Sequence, residues 1–325
     1  ARMSPSFRRA ARRSRSSANE ALVIIDAHTH LGDILREGGG ALIERTGVMK
    51  RRIFDPVSIS ESMLHRDIGL NRAIERLLER WVVNAEQARN ATATLENMTR
   101  SMDEDGIDYS AVMPIPPYVY FDDLARAHRR ERRLIPFTGL DYTAEDPSGR
   151  LERDVAAGAR GLKLHPIIQR AALTDRRTLE GVERFASFGL PVLFHCGYTS
   201  YFHSAEAHRQ DTSLGAIAHA RKLAGSFPSV RFVAGHSGLF EVRETIELLA
   251  PLPNVYAEIS FQPPAVIRRL VKAFGPDRVI YGSDWPWGSR RTALASVRAA
   301  CRGDALLERA ILGGNASALF GIPAA

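Results

Sequence analysis

The sequence of 325 residues predicts an α/β fold, a (β/α)₈ barrel that carries a helical insertion after its first strand. From Leu22 onward, short apolar runs alternate with amphipathic stretches, a pattern typical of parallel strands joined by crossover helices. Eight such units in a chain of this length suit a closed barrel, and an open doubly wound sheet is the alternative. The open sheet is disfavoured because no glycine-rich phosphate loop follows the first strand.

The predicted strands are the short apolar runs of the sequence. In chain order they cover residues 22–26, 109–113, 134–140, 161–165, 190–195, 230–236, 255–260 and 278–283. The amphipathic stretches between them predict helices over residues 121–132, 179–188, 214–224, 240–250, 265–274 and 292–301.

Residues 31–90 are predicted to form the insertion, because the first and second strands are separated by far more than one crossover helix requires. Gly38-Gly39-Gly40 predict a loop, residues 68–83 an amphipathic helix, and residues 94–105 the helix that leads into the second strand. An insertion at this point emerges at the carboxyl ends of the strands, where barrel enzymes have their active sites. A lid that shapes the substrate site and a surface elaboration or oligomer contact both stay open.

Positive charge is concentrated at the start of the chain. Of the net charge of +7, residues 1–20 supply six arginines against one acid, which leaves +2 for residues 21–325. We therefore expect a disordered basic tail over residues 1–20 and a barrel domain over residues 21–325. A basic tail can also bind nucleic acid or an acidic partner, but nothing in the barrel sequence supports that alternative.

The remaining composition is ordinary for a soluble globular protein, with 45% apolar and 25% charged residues. Two cysteines, Cys196 and Cys301, exclude a disulfide framework and a zinc finger, and fit a reducing compartment such as the cytoplasm. The sequence contains no apolar stretch of about 18 residues, so no membrane span is predicted. The expected partners are a small-molecule substrate and a second copy of the chain in a dimer, with neither nucleic acid nor membrane.

Histidines and one carboxylate follow several predicted strands, at the end where a parallel barrel collects its active-site residues. His28 and His30 are two positions apart, so both side chains project to the same face of a strand. His195, His236 and Asp284 follow three later strands. Imidazoles and a carboxylate bind a divalent cation, with Zn²⁺ as the first expectation and Mn²⁺ or Fe²⁺ as alternatives. A single histidine at a strand end is more often a hydrogen-bonded core residue, so the prediction depends on the combination.

Further candidates surround this set. Lys163 and His165 lie on the fourth predicted strand and point the same way by strand alternation. We expect His165 either to contact substrate or, because Pro166 follows it, only to pack. Two aromatic loops are predicted to form a wall for a planar or cyclic substrate, or else to pack within themselves. One holds Tyr198, Tyr201, Phe202 and His203, the other holds Trp285 and Trp287, and Tyr198 and Trp285 are the expected substrate contacts.

Several segments of the chain resemble a known family when they are taken in order. They are IIDAHTHLG, RGLKLHP, PVLFHCG, AGHSG, IYGSDWPWG and the closing GGNASALFGI. Together they resemble the amidohydrolase superfamily, and most of all its amidohydrolase-2 branch of metal-dependent hydrolases and decarboxylases. The resemblance covers about residues 22–322 without much of the insertion, and it implies a metal-binding barrel.

The resemblance also implies a role for each matching residue. His28 and His30 match first-strand metal ligands, His195 a fifth-strand ligand, and Asp284 an eighth-strand ligand that also accepts a proton. His236 matches a histidine that is catalytic in mononuclear relatives and binds a second metal in binuclear ones. Lys163 matches a lysine that some binuclear relatives carry as a metal-bridging carbamate. As an ordinary ammonium it would instead hold a substrate anion, and we expect this mononuclear case.

These residues predict a metal-dependent hydrolase that cleaves an ester, lactone or amide bond of a small organic substrate. Metal-activated water would attack the carbonyl, Asp284 would accept its proton, and His236 or Lys163 would stabilise the developing negative charge. A non-oxidative decarboxylase of an aromatic or unsaturated carboxylic acid is the alternative, because the same ligands serve both reactions. A catalytically silent barrel that docks through its basic tail is the remaining alternative.

Overall fold

The computed structural model describes residues 22–64 and 72–322, without the side chains of residues 63–64 and 72–76. The expected tail of residues 1–20 lies outside the described part of the chain. Within the described part, parallel strands alternate with helices. The strands are β1 (Ile25–His30), β2 (Tyr109–Met113), β3 (Leu134–Pro136), β4 (Thr138–Gly139), β5 (Leu162–Leu164), β6 (Val192–His195), β7 (Phe232–Gly235), β8 (Val255–Glu258) and β9 (Val279–Ile280).

The strands close into a barrel. The segments β3 and β4 are two halves of one barrel strand, separated by Phe137, whose N–H donates to the carbonyl of Val112 at 3.1 Å. Strand β1 and the chain after β9 are joined by backbone bonds from Ala27 N to Tyr281 O at 3.0 Å, from Asp284 N to His28 O at 2.8 Å, and from His30 N to Trp285 O at 2.7 Å. The (β/α)₈ fold predicted from the sequence is therefore confirmed.

Helices cover the outside of the barrel, and α7 (Arg176–Ala186) shows how a crossover helix buries one face against it. In α7, Thr178, Val182 and Phe185 are buried at helical spacing, and Asp175 caps the first turn by accepting the N–H of Arg177. The helices are α1 (Pro56–Leu64), α2 (Arg72–Asn90), α3 (Leu95–Asp105), α4 (Phe121–Arg130), α5 (Leu151–Ala156), α6 (Pro166–Gln169), α7 (Arg176–Ala186), α8 (Ile217–Ser226), α9 (Val242–Leu249), α10 (Pro264–Phe274), α11 (Arg290–Cys301), α12 (Ala305–Arg309) and α13 (Asn315–Phe320). No described helix is both long enough and apolar enough to cross a membrane.

The amino-terminal half of the barrel interior is filled by apolar side chains. Ile25, Leu193 and Val233 belong to one buried cluster, which Phe320 of α13 completes by packing its ring edge-on against Phe137. Because this half is solid, any ligand has to enter from the carboxyl ends of the strands.

An irregularity in β1 turns its histidines into the barrel. Ala27 belongs to the interior apolar cluster, and strict alternation would point His28 outward. The register of β1 with β2 shifts between Asp26 and Thr29, which reverses the alternation and places His28 and His30 on the inner face. Along β1, the histidines of the site therefore follow directly after the residues that fill the apolar barrel interior.

The insertion forms α1 and α2, which pack against each other and line the cavity at the barrel mouth. Arg89 of α2 connects them to the barrel. Its guanidinium donates to Glu61 at 2.9 Å and to Ser58 at 2.7 Å, and it also bonds the carboxylate of Asp55 and the carbonyl of Trp287. The predicted helix over 68–83 corresponds to part of α2, although residues 65–71 lie outside the described chain.

Several predicted strand boundaries are wrong, and each has a physical reason. Strand β1 ends at His30 instead of residue 26, because the polar residues that suggest a loop are buried inside the barrel. The predicted strand over 161–165 is shorter because His165 caps helix α6. The predicted strand over 278–283 ends at Ile280, because the N–H of Tyr281 donates to Ile311 instead of to a neighbouring strand.

Candidate metal centre

The residues predicted to bind the metal lie at the carboxyl end of the barrel, around Asp284 and His236. Asp284 Oδ1 lies 3.4 Å from His30 Nε2 and 3.6 Å from His28 Nε2, and Asp284 Oδ2 lies 3.9 Å from His236 Nε2. His195 Nδ1 lies 3.2 Å from His236 Nε2. One donor atom each from His28, His236 and Asp284 lie within 4.8 Å of one another, a group that can hold a metal ion.

Hydrogen bonds fix the tautomers of both histidines of β1. His28 Nδ1 lies 2.9 Å from Glu258 Oε2, and His30 Nδ1 lies 3.2 Å from the carbonyl oxygen of Met113. A carbonyl and a carboxylate only accept hydrogen bonds, so each Nδ1 carries the proton and donates it. The Nε2 atoms of His28 and His30 are therefore bare lone pairs, and both face Asp284.

The other two imidazoles are held in the same way. His195 Nε2 lies 3.2 Å from the carbonyl oxygen of Gly197, so it donates there and Nδ1 is bare. His236 Nδ1 lies 2.6 Å from Ser260 Oγ, and the Ser260 hydroxyl donates its own proton to Glu258 at 2.9 Å. His236 Nδ1 must then be the donor, which leaves its Nε2 bare.

The site therefore contains several unprotonated acceptor atoms that face one another with no proton between them. The bare nitrogens of His195 and His236 face each other, and Asp284 Oδ1 is buried without a hydrogen-bond partner among the described residues. Buried acceptors that face one another repel unless a positive charge lies between them. Three or four imidazole nitrogens and a carboxylate oxygen match the donor set of a borderline divalent cation. The residues present thus fit a metal ion.

Two site residues adopt strained backbone conformations. Asp284 has a φ of 57° and His236 a φ of 56°, in the left-handed region that non-glycine residues rarely occupy. Such strain concentrates at functional sites, where the surrounding structure holds it in place. For Asp284 the backbone bond to His28 O contributes this support.

Burial governs the proton affinities in the site. It lowers the pKa of the imidazoles well below 6.5, and the affected residues are His28, His30, His165, His195 and His236. These rings are therefore neutral, the form that binds a cation. Burial raises the pKa of Asp284 well above 3.8, which the Lys163 ammonium partly opposes.

Lys163 lies beside the first histidine. Its Nζ is 2.7 Å from His28 Nε2, so the amine donates to the bare nitrogen. Burial lowers the pKa of Lys163 to about 8, although the carboxylates of Asp284 and Glu258 act in the opposite direction. The sequence prediction that Lys163 is a polar residue of the site agrees with this position.

Glu258, near the end of a predicted strand, supports two histidines of the site, a role that the sequence alone left open. Its carboxylate is fully buried and accepts hydrogen bonds from His28 Nδ1, from the backbone N–H of His236 and Ser260, and from the Ser260 hydroxyl. Gly282 leaves room for it, because a Cβ there would lie 2.5 Å from Glu258 Oε1. The position of an acidic residue at the end of a barrel strand indicates a site residue, but the hydrogen-bond partners of Glu258 could not be derived from the sequence.

A buried ion pair supports the Asp284 loop and was also missed. Arg290 is 1% exposed and donates from Nε to Asp26 Oδ2 at 2.9 Å. Asp26 also accepts the N–H and the hydroxyl of Ser283, at 2.9 and 2.6 Å. The outward face of β1 therefore holds the residue that precedes Asp284, while the inward face supplies the histidines.

A cavity of about 350 Å³ extends from this group to the surface. His195, His236 and Asp284 line it together with mostly apolar side chains. The insertion contributes Val57, Leu78 and Val82, and the loops of the barrel contribute Phe240, Phe261 and Val266. The site therefore presents polar chemistry at one wall and apolar surface elsewhere, the usual design of a pocket for small organic ligands.

Two residues of the predicted aromatic wall line the cavity, but not the two that were expected to contact the substrate. Neither Tyr198 nor Trp285 is among the described residues that line the cavity, whereas Tyr201 and Trp287 do so. Trp285 packs against Arg290 instead, because its carbonyl is fixed by the N–H of His30. The loops were identified correctly, but which side chain of each loop turns inward depends on the local backbone.

His165 lies in the site, although it follows strand β5 and is not part of it as predicted. Its ring stacks on that of His195, with centroids 4.4 Å apart, and its Nε2 lies 3.1 Å from the hydroxyl of Tyr201. It is 2% exposed. His165 lies behind Tyr201 and is not among the described residues that line the cavity, and its contact with substrate stays a prediction.

Comparisons with known proteins agree with this architecture. A family model described as "Amidohydrolase" matches residues 25–322. A comparison with curated proteins finds no match.

Solved structures with the same fold include enzymes of two reaction types. A 5-carboxyvanillate decarboxylase from Sphingomonas paucimobilis is 15% identical with a TM-score of 0.61, over 93% of this chain and 100% of that chain. A dihydroxybenzoic acid decarboxylase from Polaromonas sp. JS666, with bound manganese and the inhibitor 2-nitroresorcinol, is 15% identical with a TM-score of 0.63, over 93% and 98%. A probable 2-pyrone-4,6-dicarboxylic acid hydrolase from Acinetobacter baumannii is 14% identical with a TM-score of 0.53, over 92% and 99%. At these identities the likeness shows the fold.

Proposed function

Because the chain belongs to the amidohydrolase family, we propose that it is a metal-dependent hydrolase that cleaves an ester, lactone or amide bond of a small organic substrate. The observation that supports this most is the convergence of bare imidazole nitrogens on Asp284 Oδ1 at the inner end of an apolar cavity. Such a group provides both the donors for a cation and a carboxylate that can accept a proton.

We propose His28, His30, His195 and Asp284 as the cation ligands. A cation held there would polarise a substrate carbonyl and lower the pKa of a bound water to near 7. Zn²⁺ suits imidazole and carboxylate donors, and Mn²⁺ and Fe²⁺ are the alternatives. With these four ligands engaged, the bare Nε2 of His236 stays available to the substrate.

The two oxygens of Asp284 have different surroundings and would do different work. Oδ1 faces the bare nitrogens of His28 and His30, which is where a cation would be shared. Oδ2 lies 3.9 Å from Nε2 of His236, a residue that lines the cavity. Oδ2 is therefore placed to take the proton of an attacking water, and His236 is placed to assist its transfer to the leaving group.

Lys163 would stabilise negative charge on the substrate. Its ammonium donates to His28 Nε2 when that nitrogen is bare, and a ligand bond at this nitrogen would free the Nζ protons. A buried ammonium is strongly stabilising next to an oxygen that becomes negative, because the surrounding dielectric is low.

Turnover of neutral aromatic esters and lactones tests the proposal. We expect the zinc- or manganese-loaded protein to hydrolyse compounds such as dihydrocoumarin. Asp284→Asn keeps the shape but cannot take a proton as readily, so its kcat should fall by about 10²- to 10⁴-fold. Asp277→Asn, in an exposed turn, is the matched control and should match the wild type. Equal rates for the two variants would contradict the assigned role of Asp284.

Decarboxylation is the second candidate, and the apolar cavity wall favours it. A carboxylate brought into this cavity loses water, and Lys163 is the buried cation that could hold it. Incubation of the metal-loaded protein with 2,6-dihydroxybenzoate and related acids discriminates between the two reactions. Release of CO₂ without hydrolysis of esters or lactones would replace the first candidate with the second.

A further inference from the structure

Tyr201 places a phenol hydroxyl in the wall of the cavity. It lies in the loop after β6, is 7% exposed, and lines the cavity beside Trp287, with the two rings edge to face at 5.4 Å. Its ring also lies edge-on to that of His165, at 5.3 Å. A polar hydrogen-bonding group is therefore built into a wall that is otherwise mostly apolar.

The backbone of Tyr201 is held from two sides. Its N–H donates to Gln210 Oε1 at 2.7 Å, and its carbonyl accepts from Gln87 Nε2 at 2.9 Å. Gln87 belongs to α2, so the insertion itself fixes this loop against the barrel. A hydroxyl supported in this way is oriented before any ligand arrives.

The hydrogen bonds around His165 determine where the Tyr201 proton points. The backbone N–H of Ile168 donates to His165 Nδ1 at 3.3 Å, so Nδ1 is an acceptor and the ring proton is on Nε2. His165 Nε2 lies 3.1 Å from the Tyr201 hydroxyl, which it therefore donates to. The hydroxyl keeps its own proton for another acceptor, and among the described residues it has no other hydrogen-bond partner.

The charges around the cavity restrict what that acceptor can be. Glu86 lines the cavity, and among the described lining residues there is no buried cationic side chain, so a substrate carboxylate held at the Tyr201 hydroxyl, away from the cation site, would lose its water without gaining a positive partner. The two arginines among the lining residues, Arg243 and Arg269, are exposed, and Arg243 donates to Glu247 at 2.8 Å. The wall beside Tyr201 is therefore suited to an uncharged oxygen on an apolar body.

We propose that Tyr201 is a substrate-contacting residue that donates its hydroxyl proton to an uncharged oxygen, such as a carbonyl, of an aromatic or other apolar substrate, and that His165 is its positioning residue. The part of this inference that concerns the substrate rests on the proposed function. The part that concerns the orientation of the hydroxyl does not.

The orientation is tested by long-range proton–nitrogen NMR on the zinc-loaded protein with ¹⁵N-labelled histidine. We expect His165 to be the tautomer protonated at Nε2, with an Nε2–H signal that shifts in Tyr201→Phe. If His165 is instead protonated at Nδ1, the Tyr201 hydroxyl donates its proton to His165 Nε2, and the inference is overturned. This measurement needs no substrate, so it decides the point even if the proposed reaction is wrong.

The contact with substrate is tested by hydrolysis of dihydrocoumarin. Tyr201→Phe should lower kcat/KM by about tenfold or more, since one hydrogen bond to the reacting molecule is lost. Tyr142→Phe, which removes a tyrosine hydroxyl bonded to Thr178 away from the cavity, is the matched control and should change kcat/KM less than twofold. Tyr201→Phe equal to this control would overturn the contact. A wild type that turns over no ester or lactone counts against the proposed function instead.

The preference for an uncharged ligand is tested by competition. Acetophenone should inhibit dihydrocoumarin hydrolysis at a concentration at least about tenfold below that needed for 4-acetylbenzoate, because only the second carries a carboxylate into the cavity. A stronger effect of 4-acetylbenzoate would overturn the assigned class of substrate.

Discussion

A single buried carboxylate determines the state of two imidazoles in this site. Glu258 accepts the Nδ1 proton of His28 directly, and it fixes His236 through the hydroxyl of Ser260. Both rings therefore turn a bare nitrogen towards Asp284. Carboxylates behind metal-binding histidines commonly orient the ring and raise its basicity in this way.

Replacing Glu258 should weaken metal binding more than it changes the fold. In Glu258→Gln the neutral amide oxygen is a weaker acceptor than the carboxylate, and the NH₂ group must face either the backbone N–H of Ser260 or the donors at Oε2, so His28 and His236 are held less firmly. We expect the affinity for Zn²⁺ to fall by about 10- to 100-fold, measured by competition with a chromophoric chelator. Glu180→Gln, on the exposed face of α7, is the control and should bind Zn²⁺ as the wild type does. Unchanged affinity in Glu258→Gln would show that Glu258 does not orient the ligands.

At the level of elements, the insertion is attached to the barrel through Arg89. Its side chain is 7% exposed and lies between the carboxylates of Glu61 and Asp55, and its guanidinium also bonds the carbonyl of Trp287. Glu61 Oε1 in turn accepts the N–H of Ser289, at 2.6 Å. Helices α1 and α2 are thereby fixed to the loop that carries Asp284.

Removing this attachment should loosen the insertion while the barrel stays folded. Arg89→Leu leaves buried carboxylates unpaired, which costs about 3–5 kcal/mol when a buried ion pair is broken. Hydrogen exchange of the α2 amides should become faster in this variant, with little change in the barrel strands. Arg100→Leu, which removes an exposed pair with Glu96, is the control and should leave the exchange of α2 unchanged.

The same attachment predicts a dependence on pH. Although burial acts in the opposite direction, Arg89, Lys50 and Ser58 hold the pKa of Asp55 far below its ordinary 3.8. A carboxyl with a lowered pKa stabilises the folded state above its ordinary pKa and loses this effect as the pH falls further. Protection of α2 should therefore decrease as the pH is lowered from about 5 towards 2. Protection that rises over this range would contradict the role given to Asp55.

On the scale of the whole molecule, the sequence predicted the barrel and the residues that meet at its mouth. This was achievable because strand periodicity is local, and because the carboxyl ends of parallel strands meet in one place. The same logic brought His28, His195 and Asp284 together from distant parts of the chain. Membership of the amidohydrolase family agrees with that prediction.

The features that escaped prediction all depend on contacts between distant segments. The register shift in β1 arises from its pairing with β2, and the support of Asp284 arises from a pair between Asp26 and Arg290. The exchange of Trp285 for Trp287 in the cavity wall depends on the turn that follows Asp284. The predicted dimer and the role of the basic tail stay predictions.

Metal content per chain tests the central claim most directly. Protein purified with ample divalent cations should hold about one ion per chain by elemental analysis, and Asp284→Ala should hold far less. Lys163→Ala should keep its ion, since Lys163 Nζ is assigned to the substrate, whereas a fall from two ions to one would indicate a carbamate bridge. A wild-type protein that binds no Zn²⁺, Mn²⁺ or Fe²⁺ at millimolar concentration would contradict the account.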